Sequence, residues 1–314
     1  MGFRNSGKKP AAVKVQKNSY VRKKDRMLTV MSMPALILLF LFQYLPLFGL
    51  VLAFKDYKYD SGFLGSKWVG LKNFTFFFKS QDAFTITRNT ILYNLIFIIS
   101  VLAGSVIFAL ILNGITRRGA VKIYQTVMFF PYFLSYAVIA FIVFAFLNVQ
   151  YGLLNRLSGA NINWYADMHV WLYIIPIVNF WKCVGYNTII IYASLIAIDT
   201  TFIEAAAVDG ASRFQIICKV VMPLLKPIVV MLALIMLGKI FYSDFGLFYM
   251  VPQNAGLLYP VTDVIDTYVY RTLRVLGDVG MSTAIGLYQS LVGLVLVLIA
   301  NWLTRKFCEE SALF

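Results

Sequence analysis

An all-helical membrane protein with six transmembrane spans is the fold class this sequence predicts, and three observations predict it. Of its 314 residues, 60% are hydrophobic. Only 13% are charged, about half the share found in a soluble domain, and the mean hydropathy is +0.77. Six apolar stretches are each long enough for a hydrocarbon core about 30 Å thick, which takes about 20 helical residues to cross.

In order, the predicted spans are residues 28–54, 90–112, 123–147, 170–198, 229–250 and 281–303. The first is too long for a signal-peptide core and lacks a small-residue cleavage site, so it reads as a retained helix. Pro34, Pro46, Pro131 and Pro176 fall inside spans. Backbone groups freed by proline in lipid must find partners on neighbouring helices or in a water-lined cavity. The domain reading is a basic tail over 1–26, a six-helix transmembrane bundle over 27–306 and a short C-terminal tail over 307–314, with the 199–228 loop inside the bundle. No internal repeat is visible.

Charge orients the chain. Nine Lys/Arg precede the first span, from Arg4 to Arg26. Placing that tail in the cytoplasm puts seventeen Lys/Arg inside and nine outside, as the positive-inside rule favours. Both termini are then expected to be cytoplasmic, although the 55–89 connection is basic for an outer loop. A solvated tail of this kind explains the net charge of +14 without nucleic acid.

Several chemistries are disfavoured. Cys183, Cys218 and Cys308 have no paired spacing, and His169 has no companion ligands, so neither a disulfide framework nor a metal site is expected. No phosphate-binding Gly-x-x-x-x-Gly-Lys-Ser/Thr loop occurs, so ATP hydrolysis would have to come from another chain. A membrane-embedded transferase would need a fuller catalytic set than the isolated acidic pair Asp263 and Asp266.

The most informative segment lies between the fourth and fifth spans. Thr201 followed by Glu204 has capping-box spacing, which predicts a short helix through Glu204, Ala205, Ala206 and Val208. Gly210, flanked by Asp209 and Ala211, permits a left-handed turn to end it. Ser212 with Gln215 repeats the capping-box spacing and starts a second helix, which Pro223 is expected to end or bend. Physically this is a helix–turn–helix at the membrane surface, with small residues that let a partner approach.

This segment resembles the EAA signature of ABC-importer permeases: Glu204, Ala205, Ala206, Gly210 and Pro223 fall in register, with Val220 and Met222 as mild departures from Ile and Leu. The whole chain is similar to the maltose-type sugar permeases. It is closest to the branch for complex oligosaccharides, including aldouronates, on the stretches 42–49, 130–135 and 262–268. The resemblance implies a type I importer bundle with a cytoplasmic coupling helix in the cytoplasmic membrane. It further implies a second homologous permease, two ATP-binding subunits that hold ATP and Mg, and an extracytoplasmic solute-binding protein. In that family Glu204, Ala205, Ala206, Asp209, Gly210 and Ala211 would dock on the ATPase. A same-fold permease for a non-sugar solute is the alternative, since fold does not set substrate.

Polar and aromatic residues within spans are candidates for the path. Helix four carries Trp181, Lys182, Tyr186 and Asn187, and helix five carries Lys239, Tyr242 and Asp244. Intramembrane charges are expensive unless they face a cavity or a partner. Aromatic faces with hydrogen-bonding rims suit pyranose rings. By resemblance, Trp181 and Tyr186 would lie near a sugar, and the two lysines could hold carboxylates of a uronate-containing oligosaccharide.

Overall fold

In a computed structural model, the structure describes residues 19–307, so most of the basic tail, the extreme C terminus and Cys308 lie outside the described residues. The chain divides into two units, Met1–Val51 and Leu52–Phe314.

The first unit is helical throughout its described length. Helix α1 (Ser19–Leu39) passes through a π turn at Phe40–Tyr44 into a 3-10 stretch at Leu45–Phe54. The change of pitch surrounds Pro46, whose ring cannot fit a regular turn and whose nitrogen donates no hydrogen bond. Leu45 N–H donates instead to Phe40 O, five residues back.

The second unit begins with what the sequence suggested was a plain outer loop. It is instead a built element: a two-stranded hairpin pairs β1 (Lys55–Asp56) with β2 (Lys67–Trp68), and helix α2 (Lys72–Lys79) follows. Asn73 donates to the carbonyls of Ala53 at 2.9 Å and Lys55 at 3.1 Å, tying α2 to the hairpin. Helix α3 (Gln81–Asn113) starts nine residues before the predicted span, capped by Ser80, whose hydroxyl accepts from Ala83 N–H.

The third span is broken. Helices α4 (Arg118–Phe133) and α5 (Tyr136–Leu147) meet at 99°. Pro131 lies within the last turn of α4, and Ser135 caps α5 by accepting from Val138 N–H. The sequence showed the proline but read the span as continuous. Helix α6 (Met168–Ile196) is the fourth span and runs through Pro176 unbroken.

After α6 come the short helix α7 (Thr200–Val208) and the long helix α8 (Arg213–Leu237). The expectation that Pro223 ends or bends a separate surface helix is corrected. A π turn at Ile217–Val221 precedes it, and Pro223 sits in the first turn of the following helical segment, where a missing N–H costs little. The helix of the fifth span therefore begins earlier than predicted, and its regular part runs to Leu237. Residues 238–245 are largely unwound, and a π turn at Gly246–Met250 follows. Helix α9 (Ile265–Arg274) and helix α10 (Val279–Phe307) complete the chain.

Small residues let the central helices approach closely. A Cβ on Gly104 of α3 would lie 2.4 Å from the Phe180 ring of α6, and one on Gly185 of α6 would lie 1.8 Å from the Met128 carbonyl oxygen of α4. Ser105 Oγ donates to Val184 O at 3.1 Å. Around these contacts Tyr93, Phe97, Ile139, Trp171, Ile175 and Phe248 form one buried cluster, and Leu102, Val106, Ile191, Leu195 and Leu225 another. The opposite face of α3, with Leu95, Ile99, Ile107 and Ile111, is exposed and apolar, as befits lipid or a neighbouring subunit.

Candidate functional site

The two interruptions, one in the third span and one in the fifth, come together. A cavity of about 330 Å³ is lined by Asn94 and Phe97 of α3, Tyr136 of α5, Asn179 and Cys183 of α6, and Lys239, Tyr242, Ser243 and Asp244 of the unwound segment. Gly246 lies against Tyr136 so closely that a Cβ there would meet the ring at 2.7 Å. Asp244 Oδ1 accepts from Gly246 N–H at 3.0 Å and caps the turn that follows.

An unwound segment inside a span leaves backbone groups without helical partners, each costing free energy unless satisfied. Side chains from three neighbouring helices satisfy them. Asn94 Nδ2 lies 3.0 Å from Ile240 O and 3.3 Å from Tyr242 O. Gln289 Nε2 of α10 donates to Phe241 O at 2.6 Å. Asp266 Oδ2 of α9 accepts from Ser243 N–H at 2.7 Å and from Gln289 Nε2 at 3.1 Å.

The candidates from the sequence separate into groups. Lys239, Tyr242 and Asp244 line the cavity. Lys239 and Asp244 form no ion pair with each other; among the described residues the ion pair is that of Arg271 with Asp263. Lys182 is buried and donates to the carbonyls of Tyr132 and Leu134, with its ammonium 4.7 Å from the centre of the Tyr136 ring. It closes the C-terminal end of α4 at the break and does not line the cavity. Tyr186 stacks on Tyr132 with ring centres 4.6 Å apart. Asn187 is buried and donates to Cys183 O at 3.0 Å, within its own helix. Trp181 is 41% exposed, about half a turn of α6 away from the cavity-lining Cys183. Gln289 was not among the sequence candidates, because its partners Phe241 and Asp266 lie in distant segments.

The acidic pair at Asp263 and Asp266 is engaged in hydrogen bonds on both sides. Asp263 pairs with Arg271 and accepts from Thr267 Oγ1 at 2.6 Å. Burial pushes both carboxyls above the usual range, against hydrogen bonds that pull them down.

At the other end of α6, the helix–turn–helix is fully formed. The predicted capping box at Thr201 and Glu204 is not what starts α7: Asp199 Oδ1 accepts from Thr201 N–H at 3.0 Å. That hydrogen bond holds the exposed Asp199 carboxyl below its usual range. At the far end Gly210 has φ +79°. Ala211 N–H donates to Ala206 O at 3.0 Å and Gly210 N–H to Ala207 O at 3.1 Å, a Schellman closure. Ser212 and Gln215 form the expected capping box. Glu204, Ala205, Asp209 and Gly210 are exposed, Ala206 and Ala211 half-buried, and Phe202, Val208 and Phe214 present apolar surface beside them.

Residues 97–308 match the family described as binding-protein-dependent transport system inner membrane component. The chain belongs to this family. It is thus a multi-pass permease subunit of an ABC importer. Among relatives, the permease is 32% identical to Protein LplB of Bacillus subtilis (strain 168), covering 92% of both chains. It is also 32% identical to the polygalacturonan/rhamnogalacturonan transport system permease protein YteP of the same organism, covering 98% of this chain and 95% of that one. Among solved structures, it matches a chain of a bacterial alginate ABC transporter in complex with an alginate pentasaccharide-bound periplasmic protein. That match has a TM-score of 0.83 and 27% identity, over 93% of this chain and 98% of that one.

Proposed function

We propose that this permease moves an oligosaccharide through the cavity at the broken fifth span, and that an acidic, uronate-containing cargo fits it best. The observation that carries this reading is the lining itself. The amide of Asn179, the side-chain oxygen of Asn94 and the phenol of Tyr242 offer hydrogen bonds to hydroxyl groups, while Phe97 and the aromatic rings supply apolar faces. Lys239 brings a cation with no acidic partner among the described residues, a complement to a sugar carboxylate. Relatives whose names refer to polygalacturonan and alginate support the acidic class. Trp181, Tyr186, Asn187 and Lys182 support the path from behind or from the open face of α6.

Energy enters through α7 and its turn. Glu204, Ala205, Ala206, Asp209, Gly210 and Ala211 form the docking face for an ATPase subunit that binds ATP and Mg, and Phe202, Val208 and Phe214 widen its apolar contact. This face and both termini lie in the cytoplasm, the basic tail lies over 1–26, and α9 lies outside. A second homologous permease completes the membrane domain, two ATPases bind beneath it, and a solute-binding protein delivers cargo.

Uptake by the intact importer, reconstituted in vesicles with its binding protein, tests the substrate. Labelled trigalacturonate is expected to accumulate on ATP addition, and neutral xylotriose much less. Accumulation of xylotriose alone would sink the acidic reading, and accumulation of neither sugar would sink the oligosaccharide reading.

A further inference from the structure

The stretch 262–268 stood out in the sequence, and transport chemistry alone gives its two carboxylates no task. Asp263, just ahead of α9, is bonded to Arg271 and Thr267 of that helix. Asp266 instead reaches out of α9 to the unwound segment of the fifth span, where its Oδ2 accepts from the backbone N–H of Ser243. Ser243 and both its neighbours, Tyr242 and Asp244, line the cavity.

The other end of this tie is fixed as well. Ile265 N–H, at the start of α9, donates to Thr90 Oγ1 of α3 at 3.0 Å, and Asn89 Nδ2 donates to Asp263 O at 3.0 Å. Gln289, buried in α10, bonds both Asp266 and Phe241 O, closing a ring of four elements around one strand of backbone. A hydrogen bond to an ionised acceptor, shielded from water, is among the stronger non-covalent ties available. Discontinuous helices that line a transport path need such ties, because their own backbone ladder is missing where the cargo passes.

We propose that Asp266 is a positioning residue for transport: its carboxylate holds residues 240–244 in register, so that α9 and the cavity wall move as one unit. The proposal rests on the reading of the cavity as the path. Displacement of α9 by a partner on its outer side then shifts Tyr242 and Asp244 directly. Asn94 and Gln289 serve the same segment from within the bundle. What Asp266 supplies is an acceptor at one place; its negative charge strengthens the bond without being essential to the position.

The test uses the native thiol of Cys183, which lines the same cavity. In the intact importer in membranes, Cys218→Ser and Cys308→Ser leave Cys183 as this chain's single thiol, and a trimethylammonium methanethiosulfonate reagent labels it. Asp266→Ala and Asp266→Glu, the first removing the acceptor and the second moving it by a methylene, are expected to change the labelling rate about tenfold, the scale of one charge-assisted hydrogen bond. Asp266→Asn keeps an oxygen acceptor in place and is expected to label at close to the parent rate. Copurification of the ATPase monitors assembly, and if Asp266→Ala fails to assemble, the Asp266→Glu comparison decides. Parent-like labelling in the assembled variants would overturn the proposal while leaving the path reading intact. A parent whose Cys183 is never reached sinks the path reading, and the proposal with it.

Discussion

The ammonium of Lys182 lies 3.1 Å from the carbonyl oxygen of Tyr132, in the last turn of a helix that stops partway through the predicted third span. A lysine in an apolar span usually marks a charged ligand or a proton path. Here it replaces the partners that the terminal carbonyls of α4 lost when the chain turned through 99°. Its position over the Tyr136 ring adds a cation–π contact from the first turn of α5.

Lys182→Met is therefore expected to destabilise the break whichever sugar is carried. Leaving buried carbonyls unpartnered costs about 1–3 kcal/mol. A lower thermal midpoint for the purified importer, with the preference between trigalacturonate and xylotriose unchanged, is the expected result. A changed sugar preference at unchanged stability would count against this role.

Lys239→Gln is expected to do the opposite. Its side chain carries no ion pair among the described residues and lines the cavity. Transport of trigalacturonate should weaken about tenfold, the size of one charge-assisted contact, with thermal stability unchanged. Concentration-dependent uptake measures the former and a melting curve the latter.

Gly185→Ala probes the packing of α6 on α4. The new methyl would lie 1.8 Å from the Met128 carbonyl oxygen, so the helices must separate. Overpacking of this kind costs about 1–3 kcal/mol. Reduced yield of folded permease, by size-exclusion chromatography in detergent, is the expected outcome.

Gly210→Pro is expected to abolish both transport and retention of the ATPase while membrane insertion persists. Proline holds φ near −65°, whereas Gly210 adopts +79°, and its missing N–H removes the bond to Ala207 O. Gly210→Ala keeps the N–H and pays only the left-handed penalty of about 1–2 kcal/mol, so it should retain part of both. Affinity copurification and vesicle uptake separate the two effects.

Asp199→Ala removes the cap on α7 and should loosen it without altering the cavity. Loss of an N-cap costs about 1 kcal/mol. Faster amide exchange over Thr200–Val208, with α3 and α6 unchanged, checks it.

Much of this protein was legible in one dimension, for local reasons. Span lengths follow from runs of apolar residues, and the turn at Gly210 follows from a glycine set between two capping signals. Both depend on residues a few positions apart, although of the two capping boxes only that of Ser212 and Gln215 forms. The sequence also marked Lys239, Tyr242 and Asp244 as polar residues that lipid would reject.

Tertiary structure alone decided what those misfits do. Lys182 and Lys239 look alike in the sequence, yet one closes a helix end and the other faces a cavity, because their surroundings come from segments far apart in the chain. The unwound stretch after Leu237 carries no breaker strong enough to announce it. It persists because Asn94, Asp266 and Gln289 converge on its backbone and supply the hydrogen bonds that a helix would otherwise make for itself.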